Sequence, residues 1–148
     1  MKTILIFGLP GSGKTTLATK LCEKISADYH NADAVRTQFN DWDFSDEGRL
    51  RQANRMKALC AFSNHDGKHA IADFVCPRNE YRAIFNPDIS VWMDTIDAGR
   101  FEDTNRIFEK PEGLKINDGD FVIESQNWWN DEFTEEWAKL IALKINNG

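Results

Sequence analysis

Cysteine is scarce and unpaired in this chain: Cys22, Cys60 and Cys76 are the only three, and none stands in a C-x-x-C spacing. That excludes a disulfide framework and a thiolate zinc site, and it points to free, buried thiols in a reducing cytoplasm. Long apolar runs are missing too. The longest near the N-terminus is Ile4 to Phe7, against the roughly 18 residues of a membrane helix or the roughly 7–15 of a signal segment. Membrane insertion and secretion are therefore not expected. There is no repeat, no low-complexity tract and no Pro/Gly/Ser-rich linker, so residues 1–148 read as one domain. A basic excess is also lacking: 18 Lys+Arg against 24 Asp+Glu leave a net charge of −6, which disfavours nonspecific nucleic-acid binding. His30, His65 and His69 show no metal-ligand spacing. What is there is ordinary, with 41% hydrophobic and 28% charged residues, and a chain of this size buries roughly 68–70% of its unfolded surface without a staple.

The elements alternate. Thr3 to Phe7 is a continuous apolar run ending at a glycine, as in a strand buried on both faces. Leu17, Leu21 and Ile25 then place one apolar stripe on a helix from Lys14 to Ile25. A long helix follows Ser45 as N-cap, with Asp46 and Glu47 in its first turn, Leu50, Ala53, Met56 and Cys60 inward and Gly67 as its stop. His69 to Val75 and Ile89 to Met93 read as buried strands, and Asp120 to Ile123 as a weaker one. Phe133, Trp137, Leu140 and Ile141 mark the inner face of a closing helix. Strands separated by helices predict an α/β fold of three layers, with a mainly parallel central sheet and ligands at the carboxyl ends of its strands.

Gly8-Leu9-Pro10-Gly11-Ser12-Gly13-Lys14-Thr15 fits G-x-x-x-x-G-K-[ST] directly after the first strand and before the first helix. The glycines let successive N–H groups turn inward on phosphate oxygens, and the helix N-terminus adds partial positive charge. Gly8, Gly11, Ser12 and Gly13 form the cradle. Lys14 is placed for the β- and γ-phosphates, Thr15 for Mg²⁺ and Thr16 for the α-phosphate, so the expected cofactors are ATP and Mg²⁺. No N-K-x-D segment reads guanine, and a small kinase fits better than a switch GTPase.

His30-Asn31-Ala32-Asp33-Ala34-Val35-Arg36, then Phe44-Ser45 with Arg49, Gln52 and Arg55, then Phe74-Val75-Cys76-Pro77 with Arg82, resembles the adenylylsulfate kinase family. With the phosphate loop included, the likeness runs to about Thr95. The family's D-G-D-N-x-R motif matches Asp33 and Arg36, with Asn31 at its first Asp. Its F-S-x-x-D-R-x-x-N-x-R-R segment matches Phe44, Ser45 and Arg49, and less closely Gln52 and Arg55; Gly48 stands at its Asp. S-P-Y-R is half kept, and the family's lid is shortened to residues 101–111. The resemblance implies a P-loop kinase fold that phosphorylates the 3′-hydroxyl of adenylyl sulfate. Phe44 would stack on the acceptor's adenine, Arg49 would hold its phosphosulfate, and Asp33, Arg36, Gln52 and Phe74 would line the same site. Phe108 with Pro111 would supply a second stacking wall.

Chemistry independent of family asks for a carboxylate that takes the acceptor's proton or orders the metal's water shell. Asp33 is one candidate; its plainer reading is the N-cap of a helix from Ala34 to Phe39. Asp73, inside an apolar run, is a second, Walker-B-like candidate for the metal, or else a buried partner of Ser12 or nearby backbone. The Arg49–Gln52–Arg55 face meets an anionic acceptor or water. Arg100 and Arg106 stand in the shortened lid, where Arg106 could close on the donor. Trp42, Trp128 and Trp129 read first as packing residues. A kinase for another hydroxyl acceptor (nucleoside, nucleotide or modified DNA base) and a noncatalytic ATP-binding module remain as alternatives. A small-molecule nucleotide is the expected partner, and a homodimer is compatible with the chain.

Overall fold

A computed structural model describes residues 1–128 and 130–147, residue 117 by its backbone alone; Trp129 lies outside the described residues. The chain runs β1 (Thr3–Phe7), α1 (Lys14–Ile25), β2 (Asp28–Asn31), α2 (Ala32–Phe39), α3 (Asp46–His65), β3 (Ala70–Asp73), α4 (Asn79–Phe85), β4 (Ile89–Asp94), α5 (Glu102–Ile107), β5 (Phe121–Glu124) and α6 (Asp131–Asn147). The five strands form one sheet in the order β2-β3-β1-β4-β5. Every pairing is parallel, so the expected α/β architecture holds.

β1 sits in the middle, which explains its unbroken apolar run: Ile4, Leu5, Ile6 and Phe7 are all fully buried. Alternation along the strand divides them between two cores. Ile4 and Ile6 meet Leu17 and Leu21 of α1 and Ile141 of α6, whereas Leu5 and Phe7 meet Met56 and Cys60 of α3 and Phe85 of α4. Ser45 caps α3 as expected, accepting from the Gly48 N–H at 3.2 Å.

β3, β5 and α6 depart from their sequence outlines for identifiable reasons. β3 stops at Asp73 because Cys76 then takes a left-handed backbone (φ 45°) that swings the chain toward Pro77. β5 begins at Phe121, since the Asp120 carboxylate instead accepts from the Ser90 and Lys115 N–H groups. On α6 the inward face is Thr134, Ala138, Ile141, Ala142 and Ile145, and Leu140 is 51% exposed. A period of 3.6 cannot hold both Leu140 and Ile141 at the centre of one stripe, and Ile141 takes it.

Adjacent α6 residues should therefore respond oppositely. Ile141→Ala is expected to cost about 3 kcal/mol, the usual loss for a fully buried side chain, and Leu140→Ala less than about 0.5 kcal/mol. Urea unfolding of both variants measures the difference.

Candidate active site

The carboxyl ends of β1, β2 and β3 open into one cavity of about 710 Å³. The loop after β1 forms its floor. Gly8 and Gly13 hold φ of 152° and 101°. A Cβ on Gly8 would lie 2.8 Å from the Met93 carbonyl, and one on Gly13 would collide with the Trp128 indole. Only glycine fits either position. The Ser12 carbonyl accepts from the Thr95 hydroxyl at 2.7 Å, while the buried Ser12 Oγ has no partner among the described residues. Lys14 Nζ donates to the Leu9 carbonyl at 3.0 Å. Burial pushes this ammonium's pKa down, and the carboxylates of Asp73 and Asp33 pull it back up. Gly11, Lys14 and Thr15 line the cavity. An inward-curled loop, a lysine within the field of two carboxylates and a helix N-terminus form a donor set that fits a polyphosphate and its divalent cation.

Asp73 ends β3 only 2% exposed. Its Oδ2 accepts from Thr15 Oγ1 at 3.0 Å, from the Tyr29 hydroxyl at 2.5 Å and from Asn31 Nδ2 at 3.2 Å. Ser12 is therefore not its partner: the Ser12 side chain lies against Gly8. Burial and the neighbouring carboxylate push the Tyr29 phenol up to about 12, so it remains a donor at physiological pH. Tyr29 was missed from sequence, although it stands two residues before Asn31 and so shares a face of β2 with it.

Asp33 is not the helix cap. Asn31 caps α2, its Oδ1 accepting from the Ala34 N–H at 3.1 Å, because the helix starts two residues earlier than expected. Asp33 is exposed in the first turn of α2 and lines the cavity.

The rim is built from cations and aromatics. Arg36, buried, donates to the carbonyls of Asp41 and Asp43 and lies 4.3 Å from the Phe44 ring centroid. Arg49 donates to the Phe44 carbonyl and stands 5.3 Å from the same centroid, leaving the ring 52% exposed. Gln52 is buried, donates to the Ala32 carbonyl and accepts from Arg55. Arg55 in turn pairs with Asp41 at 3.0 Å. The expected face thus divides, with Arg49 and Gln52 at the cavity and Arg55 tying α3 to the turn after α2. Phe74, buried against Phe85, also lines the cavity.

The lid residues fall differently from expectation. Phe108 packs over Arg82, 5.1 Å from ring centroid to guanidinium carbon, and does not line the cavity. Arg82 draws it away by donating to the carbonyls of Cys76 and Glu109 and stacking on Phe7. Arg106 is also off the cavity, on the exposed side of α5, where it pairs with Glu102 and Asp103. Arg100 and Phe101 line the wall instead, together with Trp42. Thr16 is exposed on the first turn of α1.

Fold and loop together define the class: this is a P-loop kinase fold. The chain belongs to the family described as "AAA domain", which matches residues 4–83. It is 29% identical over 121 residues to a probable adenylyl-sulfate kinase of Aeropyrum pernix, an alignment covering 75% of this chain and 65% of the relative's length. The resemblance read from the motifs is borne out. The structure of the APS kinase of Mycobacterium tuberculosis in complex with AMPPNP and APS superposes with a TM-score of 0.75 at 18% identity, over 98% of this chain and 97% of that one. An unliganded sugar kinase from Janibacter sp. HTCC2649 superposes with a TM-score of 0.73 at 17% identity, over 95% and 93%. These two likenesses concern the fold.

The rim makes a pH prediction. Hydrogen bonds from Arg51 and Arg55 hold the Asp41 carboxyl well below the usual carboxylate range. A depressed folded-state pKa contributes stability above the unfolded value of about 3.9, and that stability disappears as pH falls through the folded value. Asp41→Asn should therefore lower Tm by a constant amount between about pH 5 and 8, with the gap closing below about pH 4. Calorimetry across that range tests it; a gap that widens in acid refutes it.

Proposed function

We propose that the chain is an ATP- and Mg²⁺-dependent phosphotransferase acting on the 3′-hydroxyl of adenylyl sulfate, a cytoplasmic step of sulfate assimilation. One observation carries the reading: a phosphate-loop sequence and a guanidinium-flanked aromatic, Arg36–Phe44–Arg49, line one and the same cavity. The first suits a nucleoside triphosphate. The second suits a base that carries an anionic tail. ATP with Mg²⁺ supplies an electrophilic terminal phosphoryl group whose charge the cation shares.

In this reading Gly8, Gly11, Ser12, Gly13 and Thr16 contribute to the cradle, and Lys14 neutralises the transferring group. Thr15 Oγ1 already donates its proton to Asp73, which leaves its lone pairs for the metal. Asp33, exposed beside the cavity, takes the proton of the acceptor hydroxyl or orders the water around the cation. Arg36, Phe44, Arg49, Gln52 and Phe74 hold the acceptor. A kinase acting on another hydroxyl is the second reading. It is favoured by one fact, that Phe108 is absent from the cavity and Trp42 and Phe101 stand there instead.

Lys14→Ala should abolish transfer, a loss of several kcal/mol in transition-state stabilisation, while circular dichroism and Tm stay close to those of the parent. Turnover at the parent rate would remove the loop from the mechanism.

The acceptor assignment is tested by incubating the enzyme with labelled ATP, Mg²⁺ and a panel of hydroxyl compounds. Adenylyl sulfate should acquire label. Phe44→Ala and Arg49→Ala should each raise its KM roughly ten- to a hundredfold, the worth of one stacking contact or one charge-assisted bond, with the KM for ATP little changed. Label on another compound and none on adenylyl sulfate selects the second reading.

A further inference from the structure

We infer that Tyr29 is a positioning residue for the donor's divalent cation: with Asn31 it fixes the Asp73 carboxylate, so that β3 supplies the acidic group at the point where β2 carries an amide. This rests on the kinase reading above. Asn31 stands where the resembling motif begins with Asp, and it is the direct cross-strand partner of Asp73 in the parallel register. Two carboxylates at that pair would repel, whereas an amide donates to the carboxylate, as Asn31 Nδ2 does. The pair thus divides its chemistry, the amide on β2 and the acid on β3.

Tyr29 completes it. The Asp73 terminal torsion joins sp³ to sp² carbon and has broad wells, so the carboxylate plane is set by its bonds rather than by its rotamer. Thr15, Tyr29 and Asn31 all donate to Oδ2. Among the described residues none donates to Oδ1, and Asp73 lines the cavity beside Thr15. Three donors converging from two elements turn one oxygen into an anchor and present the other to the metal's water shell. A phenol needed only for packing would not require its hydroxyl in this position.

The test is calorimetric ADP binding with Mg²⁺ and with EDTA, on the whole protein. In Tyr29→Phe, affinity in EDTA should match the parent, while the gain conferred by Mg²⁺ falls by roughly tenfold, as when an outer partner of a metal ligand is removed. Asp73→Asn should lose that gain, and Tyr29→Phe should add no further loss in its background. The exchanged pair Asn31→Asp with Asp73→Asn should recover part of it. A parent-like Mg²⁺ gain in Tyr29→Phe, with Asp73→Asn impaired, overturns the role of Tyr29 and leaves the kinase reading intact. A parent protein that gains nothing from Mg²⁺ overturns the donor reading and this inference with it.

Discussion

A carboxylate at the end of a buried strand is costly unless hydrogen-bonded and near positive charge, and Asp73 meets that demand by drawing three parts of the chain together. Thr15 comes from the first turn of α1, Tyr29 and Asn31 from β2, and the ammonium of Lys14 lies close enough to be perturbed by the same charge. The loop after β1 is thereby registered against two neighbouring strands. The strand order β2-β3-β1 makes the convergence possible, because it sets the carboxyl ends of all three strands side by side. Asn31 serves twice, capping α2 with its oxygen and donating to Asp73 with its nitrogen. The orientation of α2, and with it Asp33 and Arg36, depends on the same junction.

The rim follows a different logic. The whole chain carries −6, yet Lys14, Arg36, Arg49 and Arg100 line one cavity against the three carboxylates of Asp33, Asp73 and Asp103. Cations gathered in a low-dielectric cleft focus the local field even when the net charge has the opposite sign. They are kept apart from the acidic surface by structural pairing elsewhere: Asp41 and Asp43 engage Arg51 and Arg55 and give only their carbonyls to Arg36. The guanidinium of Arg36 is thus hydrogen-bonded by neutral carbonyls beside Phe44, with the Asp41 and Asp33 carboxylates acting on it only through space.

Local signals were read well wherever one element decided them. The phosphate loop, the buried β1 and the capped α3 depend on spacing and turn chemistry within a dozen residues, and all three stand as expected. Properties set by pairing between distant segments were harder to read. Asp73 as the partner of Asn31 needs the β2–β3 register, which no local pattern encodes. Gln52 is polar and lies on a face that reads equally as meeting an anionic acceptor or water, yet it is buried and bonded to the Ala32 carbonyl. Phe108 was placed at the cavity by motif order alone. The pull of Arg82, itself buried between two aromatic rings, becomes visible only in three dimensions.

Arg82 also separates the two ends of segment 101–111, one packed against it and the other lining the cavity. Its bond to the Glu109 carbonyl, together with the Glu109 N–H donating to the Pro77 carbonyl at 2.7 Å, pins the exit of the lid to the start of α4. The entry is held differently: Asn105 braces Gly99 through both its amide atoms, a closure internal to the segment. Phe101 is 53% exposed and lines the cavity wall. Of the two phenylalanines of this segment, Phe101 is therefore the one that lines the cavity, while the half-buried Phe108 stays packed over Arg82.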